Sequence, residues 1–239
     1  MTNFAIVTGG TRGIGREISE TFVKQNVDVI ATYFSNSKAA SELEEQWGGR
    51  IKTVKVDSAD YEAVEAFRNS IIQRGVPSVL VNNAGIVEDG LLLQGGRERI
   101  AKLMANNFMG TVNFTHAFLD DMIAKRQGNI ICLSSSAAHK VKAGNSAYGC
   151  SKIAIERFCK GLAKEAARFN VYVNCVSPGF VETELFESFA GSKKREILLE
   201  IPTRKALSAD EVARVTVDLA TRRTNTTGSV LVVGNGEQV

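Results

Sequence analysis

Short apolar runs rich in β-branched residues alternate along the chain with segments in which apolar residues recur every three or four positions. Most of these runs are continuously apolar, which is typical of parallel strands that are covered on both faces. Right-handed crossovers close such a strand-helix order into one doubly wound sheet. The sequence therefore predicts an α/β fold, a seven-stranded parallel sheet with helices on both faces. The predicted strands are residues 5–8, 27–32, 51–56, 79–81, 130–133, 171–176 and 230–233.

The segments between these runs predict amphipathic helices. Ser208 and Glu211 stand three residues apart, which is the spacing of a capping box at a helix start. No linker rich in proline or glycine divides the chain, so we expect residues 1–239 to form a single domain. The apolar residues that share a helix face are Ile14, Ile18 and Phe22, then Val64, Phe67 and Ile71, then Ile155, Phe158 and Leu162.

Composition and charge exclude several classes of protein. With 29 basic and 26 acidic side chains the net charge is only +3, and the densest basic run is Lys193, Lys194 and Arg195. We therefore expect no nucleic-acid partner. The N-terminal apolar stretch, Phe4 to Val7, is too short for a signal peptide or a membrane span. We expect a cytoplasmic protein with no membrane partner.

The cysteines and histidines show no metal-binding pattern. The cysteines are far apart and form no C-x-x-C pair, and His116 and His139 stand alone. We therefore expect buried, reduced thiols and no metal site. The cysteines are Cys132, Cys150, Cys159 and Cys175.

A glycine-rich turn, T-G-G-T-R-G-I-G at residues 8–15, directly follows the first predicted strand. Gly9, Gly13 and Gly15 would leave backbone N–H groups open to a phosphate at a helix N-terminus. A tight turn also needs glycine for steric reasons alone, so the motif by itself is weak evidence. Its place in the first βαβ unit favours dinucleotide binding.

The end of the second predicted strand lacks the acidic residue that would hold an adenosine ribose 2′-hydroxyl. It reads A-T-Y-F-S at residues 31–35, and Asp28 comes too early. Arg12 in the glycine-rich turn is placed to meet a 2′-phosphate, which favours NADP(H) over NAD(H). The alternative is that Arg12 is a solvated loop cation.

Tyr148 and Lys152 stand four residues apart, on one face of a predicted helix. Ser134, Ser135 and Ser136 end the preceding strand, where an open α/β sheet places its ligand crevice. Taken alone, the tyrosine and lysine are more often a helix-surface pair, and a serine cluster is more often a loop.

Six ordered motifs resemble the short-chain dehydrogenase/reductase family, and within it the 3-oxoacyl carrier-protein reductases, over almost the whole chain. The resemblance implies a Rossmann fold that binds NADP(H). Ser135 is the matching serine because the family's serine lies thirteen residues before the tyrosine, with Ser134 and Ser136 as alternatives. The motifs are residues 8–15, N-N-A-G at 82–85, Asn107, Ser135, Y-G-C-S-K at 148–152 and P-G-F-V-E-T at 178–183.

The resemblance implies a role for each catalytic residue. Tyr148 exchanges a proton with the substrate oxygen, and Lys152 together with the positive nicotinamide ring lowers the pKa of that phenol. Lys152 also binds the nicotinamide ribose. Ser135 hydrogen-bonds the substrate carbonyl, and Asn107 helps to hold a water that relays protons.

The resemblance also implies which residues form the cofactor site. Asp57 and Ser58 meet the adenine, while Thr183 and the Val181 backbone receive the carboxamide. Asn82 either braces the sheet or lines the site. The implied cofactor-binding residues are Gly9, Thr11, Arg12, Gly13, Ile14, Gly15, Thr32, Tyr33, Asp57, Ser58, Asn83, Ala84, Gly85, Tyr148, Lys152, Pro178, Gly179, Val181 and Thr183.

The substrate side matches the family more loosely. Residues 184–203 resemble the family's substrate lid, and the leucines at 91–93 either meet an acyl chain or pack in the core. In carrier-protein reductases two arginines beside the active-site mouth meet the acidic carrier. Arg126 matches the first, but Phe169 holds the second position, with Arg168 next to it.

The family assembles through two long middle helices, here residues 107–125 and 147–169. The resemblance therefore implies a homotetramer, and apolar residues on more than one face of these helices agree with it, since such a helix must be covered. These residues include Phe114, Phe118, Phe158 and Phe169.

The function implied by the resemblance is NADPH-dependent reduction of a 3-oxoacyl thioester, carried by acyl carrier protein or coenzyme A, in fatty acid, polyketide or polyene biosynthesis. One alternative is a short-chain alcohol or sugar dehydrogenase. The other is a non-catalytic dinucleotide-binding subunit of a mixed oligomer.

Overall fold

A parallel sheet runs through the centre of the computed structural model, which describes residues 4–191, 194–221 and 226–236. The strands of these residues are β1 (Phe4–Val7), β2 (Asp28–Tyr33), β3 (Ile51–Lys55), β4 (Val79–Asn82), β5 (Gly128–Leu133), β6 (Val171–Pro178), β7 (Val181–Glu182), β8 (Leu207–Ser208) and β9 (Val230–Val233). The sheet has the order β3-β2-β1-β4-β5-β6-β9. The predicted fold class is therefore confirmed, with each of the seven strands within two residues of its expected ends.

Helices cover both faces of this sheet. On one face Phe67, Phe118 and Leu162 belong to one apolar cluster, and on the other Phe22 and Val217 belong to a second. The helices are α1 (Gly13–Lys24), α2 (Ser37–Gln46), α3 (Tyr61–Ile71), α4 (Gly96–Leu103), α5 (Gly110–Lys125), α6 (Ser146–Ala166), α7 (Glu184–Ala190), α8 (Lys194–Glu200) and α9 (Ala209–Thr221).

The strand order reverses at β1. The chain continues from β1 to β2 and β3 on one side, and then returns to β4 on the other side of β1. In open α/β sheets such a reversal leaves a crevice outside the carboxyl ends of the strands, which is where ligands bind. The topology therefore places the candidate site beyond residues 8, 34, 56, 83 and 134.

The remaining elements lie around this crevice. A π-helical turn, Met104–Met109, joins α4 to α5. The short strands β7 and β8 pair beside α7 and α8, in the region of the predicted lid, although Ser192 and Lys193 lie outside the described residues. The predicted capping box begins α9, because Ser208 Oγ accepts from the Glu211 N–H at 3.2 Å and Glu211 Oε2 accepts from the Ser208 N–H at 2.7 Å.

Two expectations about side-chain burial need correction. Phe114 and Phe118 are fully buried in the subunit's own core, with Phe158 and Phe169 packed partly against it. The sheet and neighbouring helices cover Phe114 and Phe118, so these two residues are not available to a second subunit. Cys150 is exposed on α6, whereas the other three cysteines are buried.

The three buried cysteines lie close together, because Cys132 on β5 and Cys175 on β6 are register partners and Cys159 on α6 packs in the same cluster. Hydrogen bonds with Cys132 and Cys175, together with burial, raise the pKa of the Cys159 thiol. Among the described residues no cluster of histidine, cysteine or acidic side chains has the arrangement of a metal site. No helix in that part of the chain is long and apolar enough to cross a bilayer.

Candidate active site

A cleft of about 570 Å³ opens at the carboxyl ends of the strands, on both sides of the switch point. It brings together segments that are far apart in sequence, from the glycine-rich turn to α6. The predicted residues that line it are Gly9, Thr11, Arg12, Gly13, Ile14, Gly15, Thr32, Tyr33, Asp57, Ser58, Asn83, Ala84, Gly85, Tyr148, Lys152, Pro178 and Thr183. Asn107, Ser135, Gly179 and Val181 are not among the lining residues. The Gly179 N–H donates to the Val233 carbonyl at 2.8 Å, and Val181 is buried in β7.

Several lining residues were not predicted. Most of them adjoin a predicted strand end or a predicted motif, and that proximity was the signal available in the sequence, whereas Asn106 lies in the π-helical turn next to Asn107. They are Phe34, Ser35, Asn36, Val56, Ile86, Val87, Asn106, Leu133 and Glu184, together with Ser134, which had been an alternative to Ser135.

The glycine-rich turn needs its glycines for definite steric reasons. Gly9 and Gly13 have φ of +61° and +49°, in the left-handed region. A Cβ on Gly15 would lie 2.2 Å from the Gly9 carbonyl oxygen. The turn leads into α1, whose first turn has neither a side-chain cap nor an acidic residue. The N–H groups at this helix start are therefore available to an anion in the cleft.

Asparagines hold this turn against the end of β4. The Asn83 side chain donates to the carbonyls of Thr8 and Gly9, at 2.9 and 3.2 Å, and Thr8 Oγ1 accepts from the backbone of Asn83 and Ala84. Asn82 is buried and donates to Thr115 Oγ1 at 2.9 Å. Of the two alternatives for Asn82, the structure favours bracing of the sheet.

No acidic side chain lies at the end of β2. Asp28 begins the strand, away from the cleft, and pairs there with Arg50 at 2.9 Å. Arg12 is exposed and lines the cleft. Tyr33 and Ser35 also line it. This end of the cleft therefore offers a cation and hydroxyl groups, and no carboxylate from β2.

Helix α6 presents Tyr148 to the cleft, with the Ser135 side chain near enough to its hydroxyl to affect its pKa. Burial raises the pKa of Tyr148 to about 12, the Ser135 hydrogen bond opposes this rise, and the charge of Asp89 adds to it. The expected lowering of this pKa is therefore not produced by the chain's own residues. The phenol stays protonated throughout the neutral range.

Lys152 lies one helical turn beyond Tyr148. Its ammonium donates to the Leu133 carbonyl at 2.9 Å and lies 5.7 Å from the centroid of the Tyr148 ring. Burial lowers the pKa of Lys152 to about 8, against the opposing effect of the Cys175 and Cys132 thiols. At pH 7 the ammonium form still predominates, so the site holds a cation directly behind the tyrosine.

Asn107 lies in the π-helical turn and is fully buried. Its amide accepts from the Ile86 N–H at 2.8 Å and donates to the Ile86 carbonyl and to Ser151 Oγ, both at 3.0 Å. A Cβ on Gly85 would lie 3.1 Å from Asn107 Oδ1 and 3.6 Å from Lys152 Nζ. The asparagine thus joins the end of β4 to α6 next to the lysine.

The structure bears on two expectations about the substrate side of the cleft, namely the two arginines and the leucines at 91–93. Arg126 ends α5 just before β5, and Arg168 lies just before β6. Both arginines are therefore at the amino edge of the sheet, six strand residues, or about 20 Å, from Leu133 at the cleft. Neither arginine therefore borders the cleft of its own subunit, because helices between parallel strands return the chain to the opposite edge of the sheet. The leucines at 91–93 are exposed by 51, 63 and 98%, which excludes core packing.

Comparisons with known proteins agree with this architecture. A sequence model of the short chain dehydrogenase family matches residues 3–194. The chain is 34% identical to 3-oxoacyl-[acyl-carrier-protein] reductase FabG of Chlamydia trachomatis serovar D, over 97% of this chain and 96% of that protein. It is also 34% identical to acetoacetyl-CoA reductase of Paracoccus denitrificans, over 100% of this chain and 99% of that protein.

A solved structure agrees as well. It is described as a short chain dehydrogenase/reductase family protein and superposes with a TM-score of 0.90 at 30% identity, covering 99% of this chain and 97% of the other. The likeness therefore extends over almost the whole of both chains.

Proposed function

The chain belongs to the short-chain dehydrogenase family, and on that premise we propose that it catalyses NADPH-dependent reduction of a 3-oxoacyl thioester to the 3-hydroxyacyl thioester. The observation that carries the proposal is the convergence of Ser135, Tyr148 and Lys152 at the carboxyl edge of β5. The names of two relatives, one acting on a carrier-protein thioester and one on a coenzyme A thioester, suggest the substrate class.

The cleft fits a dinucleotide. Its glycine-rich end offers N–H groups at the start of α1 to a pyrophosphate, and Arg12 offers a cation to a 2′-phosphate. Asp57 and Ser58 would face the adenine, and Asn83, Ala84 and Gly85 the adenosine side. Thr32 and Tyr33 end β2 beside Arg12. When bound, the cofactor supplies a hydride to the substrate carbon.

The nicotinamide end lies near Pro178 and Thr183. Thr183 caps α7, because its Oγ1 accepts from the Phe186 N–H at 3.2 Å. The threonine therefore couples the carboxamide position to the helix that begins the proposed substrate lid, residues 184–203. Gly179 and Val181 would contribute through the backbone turn that carries Thr183.

The hydroxyls of Ser135 and Tyr148 act together on the substrate carbonyl. Ser135 donates a hydrogen bond to the carbonyl oxygen, and Tyr148 gives that oxygen a proton as it becomes an alkoxide. A phenol with a pKa of about 12 remains protonated at neutral pH, so it is present in the form that reduction requires. The reverse reaction needs the phenolate and is opposed by the same burial.

Lys152 favours the charged form of Tyr148. A unit charge about 6 Å away at an effective dielectric of about 20 contributes about 3 kcal/mol, or about two pKa units. This contribution does not overcome burial, since the pKa of Tyr148 stays raised to about 12. We assign the remaining stabilisation of the phenolate to the positive ring of the oxidised cofactor.

We assign two further roles near the lysine. Lys152 holds the nicotinamide ribose hydroxyls, and Asn107 helps to hold a water through which the lysine regains a proton. The contacts of Asn107 support this assignment, because its side-chain amide holds the segment after β4 beside Lys152 Nζ.

The exposed leucines at 91–93 suit an apolar acyl chain at the mouth of the cleft. Residues 88–95 meet the loop after β5 there, since the Gly90 N–H donates to the Gly144 carbonyl at 2.8 Å. Val141 on that loop is also exposed. An acyl chain leaving the cleft would find apolar side chains on two facing loops.

The experiment is an assay of NADPH oxidation with four substrate classes, namely acetoacetyl-acyl carrier protein, acetoacetyl coenzyme A, plain ketones and sugars. We expect the highest kcat/KM for a thioester. A clear preference for a plain alcohol, ketone or sugar would support the short-chain alcohol or sugar dehydrogenase instead. Tight binding of NADPH without turnover of any class would support the non-catalytic subunit.

A further inference from the structure

A buried carboxylate on α6 connects the helix that carries Tyr148 to the segment that carries Ser135. Glu156 lies one turn beyond Lys152 and two turns beyond Tyr148, so all three share one stripe of the helix. Its side chain is only 2% exposed. An ionisable group this deeply buried needs hydrogen-bond partners.

Both oxygens of Glu156 have a partner on the other segment. Oε1 accepts from Ser134 Oγ at 2.8 Å, and Oε2 accepts from His139 Nε2 at 2.8 Å. Ser134 and His139 are the first and last residues of 134–139, which we call the serine segment. The carboxylate therefore holds this segment to α6 at both of its ends.

Ser135 lies between these two attachment points. Its Oγ accepts from the Ala137 N–H at 3.2 Å, and its carbonyl accepts from the Ala138 N–H at 2.9 Å. The segment is thus one compact, internally hydrogen-bonded turn. A third contact is steric, because a Cβ on Gly149 would lie 2.7 Å from the Ala137 carbonyl oxygen.

We propose that Glu156 is a positioning residue, which through Ser134 and His139 keeps the hydroxyl of Ser135 beside the hydroxyl of Tyr148. This role rests on the proposed function, since the two hydroxyls must contact the same carbonyl oxygen. A displacement of about 1 Å between groups that act on one atom is enough to slow a reaction severely. Glu156 itself does not touch the substrate.

The test compares Glu156→Ala, Glu156→Gln and the control Glu165→Ala, which removes an exposed carboxylate from the same helix. The readouts are kcat, KM for NADPH, and hydrogen exchange of the serine-segment amides. For Glu156→Ala we expect at least a tenfold loss of kcat, a KM for NADPH within twofold, and at least tenfold faster exchange at Ala138 and His139. Glu165→Ala should match the wild type.

Glu156→Gln should recover kcat to within about threefold, because the amide oxygen can still accept from Ser134 while the amide N–H donates to His139 Nε2 in its Nδ1–H tautomer. A merely structural role would lower thermal stability and leave the kcat of the folded protein unchanged. A kcat within twofold of wild type for folded Glu156→Ala, or unchanged amide exchange, would overturn the proposal.

A second variant covers the case in which Glu156→Ala does not fold. His139→Ala removes a half-exposed side chain and only one of the two attachments. We expect a threefold to tenfold loss of kcat and faster exchange of the Ala138 and His139 amides. Wild-type values of both would overturn the proposal. If the wild type reduces no 3-oxoacyl thioester, the proposed function fails and the exchange rates alone decide the role of Glu156.

Discussion

The ammonium of Lys152 donates a 2.9 Å hydrogen bond to the backbone carbonyl of Leu133, the last residue of β5. This contact fastens the middle of α6 to the strand that leads directly into Ser134 and Ser135. It also fixes the position of the charge, because Lys152 is 5% exposed and cannot swing into solvent. The cation therefore stays behind Tyr148.

The pH dependence of the reductive reaction follows from Lys152. Burial lowers the pKa of Lys152 to about 8, so its charge is present below pH 8 and lost above it, while Tyr148, with a pKa of about 12, stays protonated across this range. We expect kcat/KM for thioester reduction to fall above about pH 8, by up to tenfold per pH unit. A profile that stays flat to pH 10 would show that the lysine charge is not required.

Cofactor preference depends on Arg12. Arg12→Ala should raise KM for NADPH by about tenfold or more, equivalent to about 1.4 kcal/mol, and leave KM for NADH within twofold, because only NADPH carries the 2′-phosphate. The matched control is Arg16→Ala, which removes a nearby arginine that pairs with Glu20 and does not line the cleft. Equal kcat/KM for NADPH and NADH in the wild type would refute the assignment.

Close packing at Gly149 is expected to be essential for the site. Gly149→Ala would place a Cβ 2.7 Å from the Ala137 carbonyl oxygen and push α6 away from the serine segment, lowering both kcat and the melting temperature. Gly161→Ala on the same helix meets only the flexible Arg157 guanidinium, at 3.3 Å. It should be neutral or stabilise by about 0.5–1 kcal/mol, as alanine does in a helix interior. Similar effects of the two substitutions in thermal melts would contradict this account.

We propose that the chain assembles as a homotetramer. The buried phenylalanines do not support this, but Met109 and Ile153 are exposed by 43 and 40% on the predicted assembly helices. Light scattering should give a mass four times that of one chain. A mass equal to that of one chain would exclude the tetramer.

The sequence allowed prediction of the sheet because most of its strands are continuous apolar runs. It allowed prediction of the Tyr148 and Lys152 placement because four residues make about one helical turn. The short strands β7 and β8 were missed, since two residues show no periodicity. Glu156 was missed for another reason. Its partners lie 22 and 17 residues away, and only the folded chain brings a carboxylate, a hydroxyl and an imidazole together.

The misplaced residues have a physical explanation too. Arg126 was expected beside the cleft because it matches one of the family's two arginines, but an α-helix between parallel strands returns the chain to the amino edge of the sheet. Phe114 and Phe118 were assigned to an interface because periodicity shows which faces of a helix are apolar and does not show what covers them. In this fold the sheet and α3 cover them.

The most direct test of the proposed mechanism is the kcat of Tyr148→Phe with saturating NADPH and an acetoacetyl thioester. The substitution removes one hydroxyl, so melting temperature and NADPH affinity should stay close to wild type. We expect kcat to fall by about 10²–10⁴-fold, the usual contribution of a general acid. Retention of more than about a tenth of the wild-type kcat would show that another group protonates the substrate and would contradict the account.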